Sequence, residues 1–387
     1  MLRLTALMTT GALARRSLIA SALPAIASCA TGTGLGWRRI GSFQPSDPDR
    51  PPSRGFLTGS LVQSVAWHPD GQRIAVGAVS LRPFHIFNLA TGEVIRIPRS
   101  QTTTNAAAFT RDGRYVAVTL HRRSPSGPID YGFTVCDAET GAELHVIREG
   151  LRPGLTGGAQ AFSLSPDGHF LAVLFSRDRI TVYDTVTWSV VSAFDTPGFG
   201  GVNLAFSPDG TVMALVGQRY RVLDPRERFP LVLWDWRAGR EIRSIGGLGQ
   251  FVLSRPAWRP GTTTIAVGTG SLLANMPDGI TPAPRGTPIA RVHLVEATTG
   301  ERLQSWVWPD DEASAKDVSW TADGSMLAVA AGAVDGAVRL LAPGRDAVAG
   351  GIGVRGDIVH QVAFSDDGRR LAIGQGSAVA VHERLGA

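Results

Sequence analysis

Short apolar runs separated by turn residues fill most of this chain. The stretch Gly201-Val-Asn-Leu-Ala-Phe-Ser-Pro-Asp-Gly210 shows the phrase in full. It predicts a strand, a tight turn at Asp209-Gly210, a second strand over Thr211–Val216, a loop, and a third strand ending at Trp234-Asp235. Asp-Gly supplies the positive φ of such a turn at low cost. The phrase occurs seven times. First strands are predicted at Val62–Trp67, Thr104–Phe109, Ala159–Leu164, Gly201–Phe206, Leu253–Trp258, Ala315–Trp320 and Val359–Phe364. The turns that follow end at Gly71, Gly113, Gly168, Gly210, Gly261, Gly324 and Gly368. Six carry Asp before the Gly; the fifth carries Pro260.

The turn glycines lie 42 to 63 residues apart. Self-similarity with a period near 40–45 residues marks a propeller. Repetition also answers the problem of size, since one undivided core rarely grows past about 250–300 residues and this chain has 387. Gly (46), Pro (24) and a charged fraction of 18% agree with an all-β fold rich in turns. The expectation is a seven-bladed β-propeller with four-stranded antiparallel blades over residues 36–387.

The residues that carry the phrase resemble those of the WD-repeat β-propeller family. The matching positions are His68-Pro-Asp-Gly71, Ser165-Pro-Asp-Gly168, Ser207-Pro-Asp-Gly210 and Trp234-Asp235, with Phe87-Asn88, Cys136-Asp137, Tyr183-Asp184 and Val295-Glu296 as weaker counterparts of Trp-Asp. The sequence departs from the family in one respect: no repeat has the Gly-His pair ahead of the first strand, so the family's His–Asp–Ser–Trp tetrad is not expected. The Ser-Pro-Asp-Gly phrase also resembles the propeller repeats of the periplasmic Tol system.

The last repeat ends at Val379-Ala-Val-His-Glu383 without a fourth strand. Gly36-Trp-Arg-Arg-Ile-Gly-Ser-Phe43 compares well with the fourth strands Gly92–Ile97 and Gly239–Ser244. It is expected to complete the seventh blade, closing the ring and removing its open edge.

Residues 1–28 read as a secretory signal: Arg15-Arg16 precede a short apolar run, Ser17–Ala27, too short to span a bilayer. Arg15-Arg16-Ser-Leu-Ile resembles a twin-arginine export signal. Ile26-Ala-Ser-Cys29 resembles the lipobox of bacterial lipoproteins, which implies a diacylglyceryl group on Cys29, cleavage before it, and residues 29–35 as a tether. The expected location is the bacterial cell envelope, at the outer membrane facing the periplasm in a Gram-negative cell. With Cys29 lipidated, Cys136 has no partner for a disulfide. It sits in a predicted strand with no basic neighbour, as a small buried hydrophobe.

The formal charge of +5 comes from arginine, because Lys316 is the only lysine. No Lys/Arg run of nucleic-acid type is present, and no nucleic-acid partner is expected. No nucleophile elbow, phosphate loop or dinucleotide fingerprint appears, and the histidines have no ligand spacing. No metal, cofactor or catalytic group is therefore assigned.

Length variation points to a binding function. Extra residues fall between the second and third strands of blades 2, 4 and 5: His121–Gly132, Gln218–Pro230 and Gly270–Pro288. In an up-and-down blade these loops all leave on the face opposite the Asp-Gly turns. Insertions on one face of a rigid repeat scaffold are the usual place for binding. They hold Arg122, Arg123, Tyr131, Arg219, Tyr220, Arg221, Arg226, Arg228, Phe229 and Arg285, the residue types that interfaces favour. The resulting expectation is a monomeric, non-catalytic, envelope-anchored scaffold that binds an envelope protein through this face. The alternative is a propeller enzyme or small-ligand binder that uses the channel mouth near Arg255, Lys316, Asp317 and His360. Asp317 and His360, on neighbouring blades, are candidates to meet there.

Overall fold

The computed structural model describes residues 36–43, 62–78, 84–97, 106–123, 129–148, 159–175, 178–249, 251–252, 254–270, 288–309, 314–331, 337–354 and 358–385. Cys29, the signal and the tether lie outside them, as does Arg285.

Seven antiparallel sheets follow one another in chain order. In blade 1 the strands are Val62–Trp67, Arg73–Ala78, Phe84–Asn88 and Val94–Ile97. The first strands of successive blades touch one another all the way round, from blade 1 to blade 7 and back to blade 1. They therefore line the centre of a closed ring. Between each pair of neighbouring blades lies one hydrophobic core, seven in all, built from residues of both. The middle strands are buried on both faces, which is why they read as continuous apolar runs such as Met213-Ala-Leu-Val216.

The ring closes as expected. Trp37–Phe43 pairs antiparallel with Ala378–Arg384, Trp37 opposite Arg384 and Phe43 opposite Val379. The sheet order places it outermost in blade 7. Trp37 packs in the core between blades 6 and 7, its ring 6.0 Å from that of Phe364. Its blade mates Leu385 and Arg384 donate backbone N–H bonds to Gly36 O and to Arg369 O beside the blade's own turn. Gly36 thus sits at the end of the ring that carries the Asp-Gly turns.

All seven turn glycines have positive φ, 64° to 79°. Around five of them recurs one small network. Ser165 Oγ donates to Asp167 Oδ1 at 2.5 Å and accepts from Phe170 N at 2.9 Å. Ser207, Ser365, Thr110 and Thr321 do the same with Asp209, Asp367, Asp112 and Asp323. These hydrogen bonds are made to the ionised carboxylate. Together with the Ser325 contacts they hold Asp323 down at about 2. Blade 5 differs: Pro260 and Gly261 form the middle of the turn, with Thr262 N donating to Arg259 O, the Pro-Gly order of a type II turn.

The predicted first strand of blade 5 is altered. In blade 5 the strand over Leu253–Trp258 splits into Phe251–Val252 and Ala257–Trp258. Pro256 has no N–H to give the ladder. Ser254 Oγ instead accepts from Gly268 N at 2.7 Å. In blade 2 the described strand runs from Ala107 to Phe109, and Thr104 and Asn105 of the expected strand lie outside the described residues.

Neighbouring blades are also tied by polar bonds at the centre. Trp67, Trp258 and Trp320 each end a first strand and donate the indole N–H to a carbonyl of the preceding blade: Ala363, Ala205 and Ala257. Ser163 and Ser319 accept from Phe206 N and Phe364 N of the following blade, both at 3.0 Å.

Candidate functional site

Strand direction sorts the molecule into two ends. Every first strand runs toward its tight turn, and the second runs back. The loops between second and third strands therefore leave at the end where the first strands begin. That end holds both the insertions and the channel mouth, so the two sequence-predicted sites share one face.

The insertion of blade 4 is the one described throughout. The first two strands of the blade, Phe199–Phe206 and Met213–Arg219, extend past the third strand, Leu231–Asp235. The loop is tied down by its backbone: Arg219 N donates to Arg228 O, Tyr220 N to Gly198 O, and Gly247 N to Arg226 O, all at 2.8 Å. A 3-10 turn, Pro225–Glu227, is capped by Asp224, whose carboxylate accepts from Arg226 N. Arg221 takes φ 59°, a left-handed conformation rare outside glycine.

The predicted contact residues of this loop divide. Arg219 lies over the Phe199 ring, 5.9 Å from its centroid, and pairs with Glu241 at 2.8 Å. Arg226 is bound to Asp224 at 2.9 Å, which raises its pKa and lowers that of the carboxyl. Phe229 is half-buried. Arg221, Arg228 and Tyr220 are exposed. Leu223, which residue type alone did not single out, is the most open apolar side chain of the loop, at 102% relative exposure. Its signal in the sequence was the apolar pair Val222-Leu223 in an otherwise charged, Pro-bearing loop. Val202 and Ile358, exposed at the starts of the first strands of blades 4 and 7, belong to the same end.

In blade 2 the insertion is a hairpin: Tyr115–Arg123 pairs with Ile129–Asp137, and Arg122 stands in register with Asp130, His121 with Tyr131. In blade 5 the strands Thr264–Gly270 and Pro288–Glu296 lead to and from the insertion, whose residues 271–287 lie outside the described set. The insertions of blades 4 and 5 are neighbours round the ring; that of blade 2 stands one blade apart.

At the channel mouth the structure brings four named residues together, in different pairs from those expected. Asp317, 1% exposed, accepts from Arg255 Nε at 3.2 Å and Nη2 at 3.1 Å, and from Val362 N at 3.2 Å. The carboxylate raises the Arg255 pKa. Asp317 does not meet His360. His360 instead faces Lys316 Nζ, 3.5 Å from its Nδ1. Lys316 and His360 occupy the bulge near the start of the first strand in blades 6 and 7; Gln63, Gln160 and Val202 hold the same bulge in blades 1, 3 and 4.

Elsewhere, Cys136 is buried and its thiol is pushed up to about 12, mainly by burial. His293 is buried between Ser305 Oγ at 2.7 Å and Leu248 O at 2.8 Å, and burial lowers it to about 4. Among the described residues no group of three or more His, Cys, Asp or Glu is placed to hold a metal. No helix among them is long and apolar enough to cross a membrane.

A seven-bladed ring of four-stranded repeats with Asp-Gly turns defines a β-propeller of the WD-repeat type. The family model described as WD domain, G-beta repeat (WD40) matches residues 53–80, a span that includes the paired strands Val62–Trp67 and Arg73–Ala78 of blade 1. This match and the seven-bladed fold together support the WD-repeat propeller family, whose fold commonly mediates contacts between proteins. No curated protein matches it.

Proposed function

We propose that this protein is a non-catalytic scaffold, held at the bacterial envelope by a lipid on Cys29, that binds another envelope protein through the insertion-bearing face. The observation that carries the partner reading is the blade 4 loop. Its backbone is fastened at Gly198, Arg228 and Gly247, yet it presents Leu223, Tyr220, Arg221 and Arg228 outward. A loop already held in shape loses little entropy on binding. Arginine and aromatic side chains round an apolar tip are what binding hot spots use.

The test is in-cell crosslinking of a tagged protein followed by mass spectrometry. Wild type is compared with a variant whose three insertions are cut to the length found in blade 3. A partner recovered with wild type and lost in the variant supports the reading; identical profiles overturn it. The anchor is tested apart, by fractionation: Cys29→Ala should move the protein from the membrane to the soluble fraction. Retention at the membrane would remove the lipid from the proposal.

A further inference from the structure

Each blade ends in an outer strand with one unpaired edge, a template for another strand unless something blunts it. Five of the seven outer strands are blunted alike. Ile40, Leu144, Val191, Ile242 and Leu303 are extra residues that bulge the outer strands of blades 7, 2, 3, 4 and 5 out of register with the third strands. Each of these five strands also carries a charged side chain. The blade 1 strand, Val94–Ile97, is regular, but it carries Arg96 and is followed by Pro98. Blade 6 has neither device. Its outer strand, Gly350–Gly353, keeps unbroken register with Ala337–Leu341 and holds no charge. Nor does the blade call for these glycines. None of the three has positive φ, and a Cβ would meet nothing within 4 Å at Gly353 and only Leu340 Cδ1, at 3.8 Å, at Gly350. A strand glycine without a bulge or a bend to explain it marks a place where another backbone comes close.

Arginines flank this edge. Arg339, in register with Gly351, lies over the Trp308 ring of blade 5, 4.8 Å from its centroid. On the other side Arg39 of blade 7 is exposed, and it shares a strand face with Trp37, which packs toward blade 6. From the unbulged, uncharged edge of Gly350–Gly353 and the arginines on either side of it, we infer that blade 6 takes up an extended acidic segment of a partner protein as a fifth strand. Main-chain hydrogen bonds hold the segment, an acidic side chain meets Arg39, and an aromatic side chain on the other face covers Gly351 and Arg339. A second rigid ring fits less well, because a four-residue edge offers far less than the roughly 1,200 Å² of a stable interface. The edge lies apart from the insertion-bearing face, so neither reading rests on the other.

The probe is a fluorescein-labelled peptide, Thr-Phe-Glu-Phe-Glu-Phe-Thr, titrated with the full chain and followed by anisotropy. Two N-methylated forms separate strand addition from any other binding, one methylated on the Phe nitrogens and one on the Glu nitrogens. Only alternate N–H groups of a strand face its neighbour. One form should therefore lose roughly tenfold or more in affinity, and the other little. Gly353→Glu gives blade 6 the kind of charge the other outer strands carry, and should weaken binding at an unchanged melting temperature. Arg39→Glu should weaken this peptide and favour the one with Lys in place of Glu. No saturable binding, no difference between the two methylated forms, or unchanged affinity in Gly353→Glu overturns the inference. So does a concentration-dependent dimer in light scattering that Gly353→Glu abolishes, which would give the edge to a second copy of the ring.

Discussion

The guanidinium of Arg255 in blade 5 meets the carboxylate of Asp317 in blade 6 through two bonds, and the same carboxylate accepts from Val362 N in blade 7. One nearly inaccessible side chain thus joins three consecutive blades. Asp317→Ala should cost about 3–5 kcal/mol in urea unfolding, because it leaves a guanidinium and a backbone N–H without an acceptor. The double variant Arg255→Leu/Asp317→Leu should lose less than the sum of the two single changes. Additive losses would show that the pair is not a unit.

The turn glycines should not be equally sensitive. A Cβ on Gly71 would meet nothing within 4 Å, whereas one on Gly113 would strike the His68 ring, whose Nε2 bonds to Gly113 O at 2.8 Å. Gly71→Ala should cost on the order of 1 kcal/mol for its left-handed backbone alone. Gly113→Ala should cost clearly more, through the His68 contact. Equal melting temperatures for the two variants would contradict this.

His293 makes stability depend on pH. It is neutral in the folded chain at about 4, against roughly 6.5 unfolded. The unfolded state then binds more protons between those values. The contribution is full above about pH 6.5 and is lost as pH falls toward 4, by at most about 3 kcal/mol for a site this buried. His382, also lowered to about 4, first by burial and then by Arg39, acts in the same direction. Asp323 adds a separate loss below about pH 4, since its carboxyl is held at about 2. In His293→Gln the fall in melting temperature between pH 7 and 5 should be shallower than in wild type; the same slope would exclude His293 as its source.

The blade 4 loop should separate folding from binding. Arg219→Ala should lower the melting temperature, because its side chain covers Phe199 and pairs with Glu241. Leu223→Ser and Arg228→Glu should leave it unchanged and reduce crosslinking to a partner. Losses of stability in all three would make the loop merely structural.

Closure of the ring by residues 36–43 should be measurable in the whole molecule. Deleting them removes Trp37 from the core between blades 6 and 7 and bares the edge of Ala378–Arg384. Thermal unfolding should shift markedly downward; an unchanged midpoint would mean that the strand is dispensable.

Local pattern carried the architecture a long way. First strands at Val62–Trp67, Ala159–Leu164, Ala315–Trp320 and Val359–Phe364 have the bounds expected of them, because turn chemistry fixes where such a strand stops. The blade 5 strand was harder to read because Pro256, which has no N–H for the ladder, lies inside the run Leu253–Trp258. The indole that ties down the turn of blade 4 is not the one in Trp234-Asp235. Trp234 Nε1 is buried without a partner, while Trp236 Nε1 reaches Gly210 O at 3.0 Å. At the channel, blade order suggested that Asp317 and His360 would meet. Their actual partners depend on which side of the bulge each residue falls, and Arg255 lies 62 residues from Asp317. A local pattern has no means of recording such a choice. Arg219 and Arg226 counted as available cations in the sequence for the same reason: their acceptors become visible only when the loop is folded.

The placement of Gly36 beside the turn of blade 7 gives the ring a polarity. Chain preceding the first strand enters at the end that carries the Asp-Gly turns, opposite the channel mouth and the insertions. Under the proposed anchoring, the lipid therefore tethers the molecule from behind. The turn end faces the bilayer, and Leu223 looks outward into the compartment, where a partner protein arrives without first having to pass between the ring and the membrane.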